Sequence, residues 1–399
     1  MPASGPAALP RLARVEAIHV RVPFRRPLLD ATGEFTHRRS WLLRVADEAG
    51  YEGLGEAALN PFATDITTAA LARVIREIVP ALAGGRPPTW PELAAEGEPG
   101  RAATAAVEGA LAALVAAHGA GNPAAAVAAT AADRGTAAGA EPAPIPVSAT
   151  IAYGGPDAGA DAAAQAVELG FDTLKLRAGF ERTTEQLVDR LRALRAAVGP
   201  EPRLRIDAGG AWDIDTATER IAAIEPFRIE YVEQPLTAWD MTGQAALRER
   251  VRVPIALDES IDSESAARAA LAEGAADVVV VKPARVGGKT ATMHIVEAAS
   301  AAGVLVVLGT YFETGVGIAA VLRIAAAMRD GRVLEGPLAL EPAASPEPAH
   351  GLATAGLLVH DLLAAPLPIV KGRMAVPSVI TLDEPEVERY TLERFETRG

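Results

Sequence analysis

Short apolar runs alternate with longer amphipathic segments over the central and C-terminal parts of the chain. Strand-like runs lie at residues 147–152, 171–176, 203–207, 229–233, 254–258, 277–282, 304–308 and, with the weakest pattern, 332–335. Segments with helical spacing of apolar positions lie between them, at residues 158–169, 184–198, 216–224, 263–272, 289–301 and 316–328. Eight strands alternating with helices predict an α/β fold of the (β/α)8 barrel type. A doubly wound open sheet is the rival, but no Gly-x-Gly-x-x-Gly follows the first strand.

The N-terminal part has a different pattern and predicts an α+β domain. Residues 15–22, 40–45 and 51–57 read as antiparallel strands, and residues 64–83 and 102–118 as helices. The polar segment 26–35 between the first two strands is either an ordinary hairpin loop or a mobile lid over a site. We therefore expect three parts, with residues 1–140 as the α+β domain, 141–345 as the barrel, and 346–399 packing back on the first domain.

Two finer expectations concern the junctions between these parts. The Ala-, Gly- and Pro-rich segment 119–145 reads as a linker, and the domain boundary is placed there. In the C-terminal part, Leu352–Leu363 is interpreted as a helix.

Composition narrows the classes of protein and partner. Half of the 399 residues are apolar, which suits a barrel of about 250 residues with a smaller domain beside it. The net charge of −13 argues against nucleic acid or an anionic membrane as a partner, and the absence of cysteine excludes disulfides and thiolate sites. The start of the chain lacks the apolar core of a signal peptide, so we expect a cytoplasmic protein.

Polar residues stand at the ends of five consecutive strand-like runs. They are Lys175, Asp207, Glu233, Asp258 and Lys282. The spacing, between 24 and 32 residues, is what one strand, loop and return helix require, so all five side chains are expected at the same end of one parallel sheet. In a barrel, that end carries the active site.

The three acids among these residues predict a divalent metal site. Hard carboxylate oxygens from Asp207, Glu233 and Asp258 suit Mg²⁺, with Mn²⁺ as the second choice. Each acid taken alone is equally well explained as the cap of the following helix or as the partner of an Arg. Three acids in register after apolar strands are harder to explain by capping.

The two amines that flank these acids suggest proton transfer. We expect Lys175 and Lys282, crowded beside a cation, to have depressed pKa values and to act as bases. The reaction that suits this layout is removal of a proton next to a carboxylate. Arg177 lies on the same strand face as Lys175, but it is a poor base, so it either holds a substrate carboxylate or pairs with Asp207 or Glu233.

A Gly-rich loop, Gly309–Gly317, follows the seventh strand. Its backbone N–H groups and the following helix start could bind an anion, although such loops are common. By contrast, five histidines have no metal-ligand spacing and are treated as incidental, namely His37, His118, His294, His350 and His360.

Taken together, these motifs resemble the enolase superfamily in its muconate-lactonizing subgroup, over nearly the whole chain. The segments that carry the resemblance are Leu-Lys175-Leu-Arg177, Ile-Asp207-Ala-Gly-Gly, Tyr-Val-Glu233-Gln-Pro, Ala-Leu-Asp258-Glu-Ser, Val-Lys282-Pro-Ala-Arg and Glu313-Thr-Gly-Val-Gly. The resemblance implies a modified TIM barrel with an N-terminal capping domain and Mg²⁺ on the three acids. It also implies a lysine base and an enediolate formed next to a carboxylate. Gly309, Thr310, Glu313 and Thr314 are then expected at the substrate.

Within the subgroup, the loop at 309–317 and the Arg-Pro segment before Ser40 look most like o-succinylbenzoate synthases, which are lyases of menaquinone synthesis. Two positions depart from the family pattern, since Arg177 replaces the second Lys of Lys-x-Lys and Gly209 replaces the Asn of Asp-Ala-Asn. A dehydratase that uses Lys282 as base and Lys175 as second amine is our leading hypothesis.

Two alternatives remain open at this point. One is a cycloisomerase or N-acylamino acid racemase of the same subgroup, although loss of a titratable side chain at residue 177 weakens a racemase that needs two bases. The other is a barrel without catalysis that binds a small carboxylate. In each case we expect a small-molecule carboxylate ligand and a homo-oligomer.

Overall fold

The structure is a computed structural model and describes residues 11–30, 33–85, 92–93, 95–119, 142–152, 155–330 and 347–399. It consists of a curled parallel sheet with surrounding helices, capped by an antiparallel sheet with two long helices. The predicted barrel with an α+β capping domain is therefore confirmed. The predicted boundary near residue 140 and the predicted strand at 332–335 lie outside the described residues.

A four-stranded antiparallel sheet forms the capping domain, in the order β14–β1–β2–β3. Its strands are β1 (Leu12–Asp30), β2 (Gly33–Asp47), β3 (Glu52–Ala57) and β14 (Thr391–Arg398). Two helices, α1 (Asp65–Ala83) and α2 (Glu98–Gly119), cover one face of this sheet. The opposite face, which carries Ile18, Val20 and Leu42, packs against the barrel side.

The segment at 26–35 is largely paired strand. β1 continues to Asp30 and β2 begins at Gly33, with Leu28 opposite Phe35. The register shifts between Pro23 and Leu28, where Pro23 and Pro27 have no N–H to donate to the ladder. The choice between an ordinary hairpin loop and a mobile lid stays a prediction.

Seven parallel strands form the barrel sheet, in the order β11–β10–β9–β8–β7–β6–β5. They are β5 (Ala149–Ile151), β6 (Thr173–Arg177), β7 (Arg203–Asp207), β8 (Ile229–Glu233), β9 (Ile255–Leu257), β10 (Val278–Val281) and β11 (Leu305–Leu308). The helices between and after them are α3 (Pro156–Glu168), α4 (Thr184–Val198), α5 (Ile214–Ile224), α6 (Met241–Arg250), α7 (Glu264–Ala272), α8 (Pro283–Val286), α9 (Gly288–Ala301) and α10 (Gly315–Asp330).

Local sequence signals set the ends of these elements. The hydroxyl of Thr183 accepts a hydrogen bond from the backbone N–H of Gln186 and caps the start of α4. Gly199, with φ of +73°, ends the same helix in a conformation that favours glycine. For β7 and β8, the observed bounds equal the predicted ones because each apolar run stops at an acidic residue.

Two residues of the C-terminal part, His350 and Gly351, close the barrel. His350 makes a parallel bridge to Val147 beside β5, and Gly351 makes one to Gly309 beside β11. His350 is therefore not incidental, as we expected from sequence. It is buried, and its Nδ1 accepts a hydrogen bond from the backbone N–H of Leu308 at 3.0 Å.

The C-terminal part joins both domains. Its first strands, β12 (Ile369–Val370) and β13 (Arg373–Met374), form a small sheet with β4 (Ile145–Pro146). A short helix, α11 (Glu384–Tyr390), then leads into β14, which pairs antiparallel with β1.

The predicted helix at Leu352–Leu363 is wrong, because only a 3₁₀ turn at Ala355–Leu357 forms there. The apolar residues Leu358 and Leu362 are instead buried against Ile18 of the capping sheet. Tertiary packing, and not helical periodicity, explains their spacing.

One helix, α2, is long and apolar enough to cross a membrane by length and composition alone. More than half of its most apolar window, 56%, is buried inside the protein. It packs against β3 and contributes Ala106, Ala110 and Leu114 to the capping-domain core. A core helix accounts for this apolar composition.

Candidate active site

The strand ends bring the five predicted polar side chains to one end of the barrel. Arg177 on β6 is in register with Asp207 on β7, and Asp207 with Glu233 on β8. Asp258 and Lys282 follow directly after β9 and β10. The three carboxylates are almost fully buried, with 3% exposure for Asp207, 1% for Glu233 and 4% for Asp258.

Lys175 lies between two of these acids. Its Nζ is 2.9 Å from Oε1 of Glu233 and 3.1 Å from Oδ2 of Asp207. Arg177 donates from Nη1 to the same Asp207 oxygen at 2.7 Å. The pairing of Arg177 with Asp207, one of the two roles open from sequence, is thus present in the structure.

The two departures from the family pattern lie in contact. Gly209 has φ of +56°, and a Cβ built on it would lie 3.3 Å from Nη2 of Arg177. That separation is tighter than ordinary van der Waals contact, so a side chain at residue 209 would press on the guanidinium. Glycine at 209 therefore accommodates both the backbone conformation and arginine at 177.

Asp258 is held by two cationic donors and by one side-chain acceptor. Lys282 Nζ contacts its Oδ2, and Arg285 Nη1 lies 3.4 Å from its Oδ1 and donates to its backbone carbonyl at 3.0 Å. The side-chain oxygen of Gln234 accepts from the backbone N–H of Asp258 at 3.0 Å and from that of Ser260 at 3.1 Å. Gln234 is itself fully buried with φ of +42°, a conformation that this network stabilises.

Electrostatics in the cluster shift the pKa values of Lys175 and Glu233. Burial would lower the pKa of Lys175, but the charges of Asp207, Glu233 and Asp258 outweigh it and raise the pKa well above its ordinary value. The sequence prediction of a depressed pKa concerned a lysine beside a bound cation, so for Lys175 it stays a prediction. Burial, together with the charges of Asp207 and Asp258, raises the pKa of Glu233 to about 8.

The opposite shift holds for Asp207. Burial opposes ionisation of its carboxyl group, but Lys175 and Arg177 hold its pKa well below the ordinary value. Asp207 is thus an ionised carboxylate inside the barrel mouth.

The carboxylates have the chemistry for a divalent cation. Asp207, Glu233 and Asp258 offer hard oxygen donors on rigid strand ends, and Oδ1 of Asp207 is buried without a hydrogen-bond partner. Over the described ranges, no three His, Asp or Glu side chains already converge around one point. The amines of Lys175 and Lys282 contact oxygens of all three acids, so the present contacts of this donor set are ion pairs.

Sequence reasoning missed three residues that shape this site. Gln234 and Arg285 stand in the motifs quoted above but were assigned no role, although both hold Asp258 in position. Tyr311 lies with its ring centroid 5.4 Å from Nζ of Lys282 and packs against Ala58 of the capping domain. Their roles depend on contacts between distant segments, so no local pattern could have found them.

The loop at 309–317 binds an anionic group, but this group is a side chain of the protein itself. The backbone N–H groups of Thr314 and Gly317 donate to the carboxylate of Glu56 from β3, at 3.1 and 3.0 Å from Oε2. A Cβ on Gly317 would lie 3.1 Å from the same oxygen and 2.5 Å from Cβ of Glu313. The capping domain thus supplies the acid that occupies this helix start.

The four predicted substrate residues divide into two groups. Thr310 shares a 3.0 Å hydrogen bond with Thr354, Thr314 donates to Glu56, and Glu313 accepts from the backbone N–H of Tyr311. These three side chains are buried and have partners within the protein. Gly309 lies against Lys282, since a Cβ on it would be 3.5 Å from Cγ of the lysine.

Comparisons with known proteins identify the same superfamily as the sequence motifs. The family described as Enolase C-terminal domain-like matches residues 158–381. An o-succinylbenzoate synthase of Thermobifida fusca (strain YX) is 39% identical over 244 residues, which is 60% of this chain and 69% of that protein. An N-succinylamino acid racemase of Amycolatopsis sp is 37% identical over 152 residues, 38% of this chain and 39% of that protein.

Solved structures extend the match to the capping domain. A dipeptide epimerase from Cytophaga hutchinsonii, solved with Mg and the dipeptide D-Ala-L-Val, superposes with a TM-score of 0.73. It is 21% identical, and the match covers 96% of this chain and 99% of that one, so the fold is shared over both domains. The chain belongs to the Enolase C-terminal domain-like family of the enolase superfamily.

Proposed function

We propose that this chain is a Mg²⁺-dependent lyase that removes a proton next to a carboxylate and eliminates water, as its relatives named o-succinylbenzoate synthase do. The observation that carries the proposal is the arrangement at the barrel mouth. Two lysine amines, of Lys175 and Lys282, flank three buried carboxylates there. The 39% identity to the synthase of Thermobifida fusca supports the choice of reaction.

Asp207, Glu233 and Asp258 are proposed to hold the metal. Mg²⁺ bound there would supply positive charge that stabilises negative charge developing on a substrate carboxylate. Gln234 and Arg285 keep Asp258 in place through its backbone, and Arg177 keeps Asp207 ionised through its own permanent charge. These supporting contacts hold the donor set rigid.

Lys282 is proposed as the base. Its amine lies at the end of a strand, beside Gly309 and over the ring of Tyr311. Because Gly309 has no side chain, a substrate carbon can approach the amine from that side. When the proton moves to Nζ of Lys282, the C–H electron pair forms the new double bond and the C–O bond breaks. The departing hydroxyl group takes a proton from the ammonium group of Lys175 and leaves as water.

Lys175 is the proposed second amine, since Arg177 is effectively always protonated and cannot exchange protons at neutral pH. Arg177 instead serves as the electrostatic partner of Asp207. Among the described residues, two lysine amines then lie at the barrel mouth, one on each side of the carboxylates.

Racemisation of an N-succinylamino acid is the second candidate. Lys175 on β6 and Lys282 after β10 are the two amines available as bases for such a reaction, but arginine at residue 177 weakens it relative to the lyase. The racemase of Amycolatopsis sp is 37% identical over its aligned part. In both candidates the ligand is a small carboxylate, bound near Gly309, Thr310, Glu313 and Thr314, and the working form is a homo-oligomer.

Two assays on the purified protein separate these functions. In the first, the succinyl-cyclohexadiene carboxylate precursor of o-succinylbenzoate is followed by its ultraviolet absorbance, with Mg²⁺ and with EDTA. In the second, N-succinylamino acids are incubated in D₂O and deuterium at the α-carbon is followed by NMR. We expect rapid, EDTA-sensitive loss of absorbance. Deuterium exchange without loss of absorbance would favour the racemase. Absence of both loss of absorbance and exchange would contradict the proposed chemistry.

A further inference from the structure

The capping sheet has a cationic area on the face that also carries α1 and α2. Along β1 and β2, His19 lies opposite Trp41, Arg21 opposite Arg39, and Pro23 opposite His37. These side chains share the face that holds the α1 and α2 core, whereas Ile18, Val20 and Leu42 on the other face contact the barrel side. The area therefore lies on the capping sheet, whereas the carboxylate cluster lies at the strand ends of the barrel.

Two like charges stand directly opposite each other in this area. Opposed like charges on neighbouring strands destabilise a sheet, and Arg21 and Arg39 form such a pair. Within the described part of the chain, no carboxylate lies within 4.0 Å of either guanidinium. The side-chain hydrogen bond of Arg21 is to a neutral acceptor, since its Nη2 donates to Nδ1 of His37 at 3.3 Å.

The surrounding charges do not neutralise the pair. Glu393, near His19, is held by Arg76 at 2.8 Å from both carboxylate oxygens. Glu34 lies at the edge of the area on β2 and is exposed. A local excess of positive charge in a chain with a net charge of −13 points to a function for that charge.

A cavity of about 220 Å³ opens over these groups. Its floor is formed by the strand residues His19, Arg21, His37 and Arg39, with the ring of His19 stacked on Trp41 at 4.7 Å. Its wall is formed by the segment before α1 and by the first turns of that helix, including Asn60 and Thr68. The start of α1 adds a favourable potential for an anion, but most of the positive charge comes from the guanidinium groups.

We propose that this cavity binds a small phosphate-bearing anion, held between the guanidinium groups of Arg21 and Arg39. Tetrahedral phosphate oxygens can accept from two planar guanidinium groups on neighbouring strands at once. Asn60, Thr68 and the imidazoles of His19 and His37 supply further polar groups around it. The bound anion reduces the repulsion between the two arginines. It thereby stabilises the pairing of β1 with β2 next to the hairpin at 26–35. This site is independent of the activity proposed above.

Titration of inorganic phosphate by calorimetry and by thermal unfolding tests this site. The wild-type protein is expected to bind with a dissociation constant below about 1 mM, and its melting temperature rises with phosphate. In the Arg21→Gln/Arg39→Gln variant, affinity falls at least about tenfold, corresponding to ~1.4 kcal/mol. The matched control, Arg192→Gln/Arg252→Gln, removes two exposed arginines from the barrel surface and retains wild-type binding.

A single variant gives a second, independent signature. Arg39→Gln removes the like-charge pair, so without phosphate this variant is expected to melt at a higher temperature than the wild type, and phosphate no longer raises that temperature. Succinate is titrated in parallel, and tighter binding of succinate than of phosphate would overturn the assignment to a phosphate ligand. Equal phosphate binding by the double variant and the wild type, or no saturation by about 10 mM, would overturn the site itself.

Discussion

The carboxylate of Glu56, in the capping domain, accepts hydrogen bonds from both the backbone N–H and the hydroxyl group of Thr314, in the barrel. The hydroxyl is 2.7 Å from Oε2, and Ser40 donates to Oε1 at the same distance. Thr314 lies directly before α10, in the same loop as Gly309 and Tyr311, which are both next to Lys282. Glu56 thus couples the position of the capping domain to the loop beside the proposed base.

Replacing Glu56 by Gln is expected to weaken this coupling, because hydrogen bonds to a charged acceptor become bonds to a neutral amide. We predict a loss of about 1.5–3 kcal/mol in the free energy of unfolding, measured by urea denaturation. The control is Glu52→Gln on the same strand, which removes an exposed ion pair with Arg14 and should cost less than about 1 kcal/mol. Equal losses in the two variants would contradict the assigned role of Glu56.

Gly209 and Arg177 are expected to be energetically coupled. Gly209→Ala places a Cβ in a left-handed backbone conformation and 3.3 Å from the guanidinium, so we predict a loss of stability of roughly 1–3 kcal/mol. Gly274→Ala is the matched control, because its φ of +66° imposes similar backbone strain with no atom within 4 Å.

A double-mutant cycle isolates the contact. In an Arg177→Lys background, Gly209→Ala should cost less than in the wild type, by an interaction energy of at least about 0.5 kcal/mol. If the cost is the same in both backgrounds, the two departures from the family pattern are independent.

His350 is expected to make stability depend on pH. Burial lowers its pKa in the folded protein to about 3, whereas an unfolded histidine titrates near 6.5. Below pH 6.5 the unfolded chain therefore binds a proton that the folded chain does not. The stabilising contribution is complete above pH 6.5 and is lost as the pH falls toward 3, by up to about 1.4 kcal/mol per pH unit.

The His350→Asn variant tests this pH dependence, since its side-chain oxygen can still accept from Leu308 but does not titrate. Urea unfolding between pH 7 and pH 4 should give a shallower slope for the variant than for the wild type. Parallel slopes would remove His350 from the account of acid sensitivity.

Mg²⁺ affinity is expected to depend on the buried carboxylates. Asp207→Asn removes one charged donor, and calorimetric titration with MgCl₂ should show at least about tenfold weaker binding. Glu201→Gln, an exposed acid before β7, is the control for net charge and should bind as the wild type does. Unchanged affinity in the Asp207 variant would exclude that residue as a ligand.

The sequence predicted the barrel well where one local pattern decides the structure. At β7 and β8 an apolar run stops at an acid, so strand and candidate ligand are read from the same few residues. Prediction failed where pairing depends on distant segments. His350 and Gly351 close the barrel through two bridges without any apolar run, and Leu352–Leu363 gains its apolar contacts from the capping sheet.

The candidate site shows the same division. Its carboxylates and amines follow from strand-end spacing, but the partners that hold them do not. Gln234 bonds across to the end of β9, and Glu56 reaches the barrel from a strand far away in the sequence. The pKa of Lys175 likewise depends on three carboxylates whose distances only the fold determines.

The most direct test of the central claim compares wild-type protein with Lys282→Ala in the absorbance assay for the cyclohexadiene carboxylate, at saturating Mg²⁺. The account predicts that the variant loses about 10²–10⁴-fold in rate, while calorimetry shows unchanged Mg²⁺ affinity. Lys289→Ala, an exposed lysine at the start of α9, should retain the wild-type rate. Turnover by Lys282→Ala at the wild-type rate would contradict the assignment of Lys282 as the base.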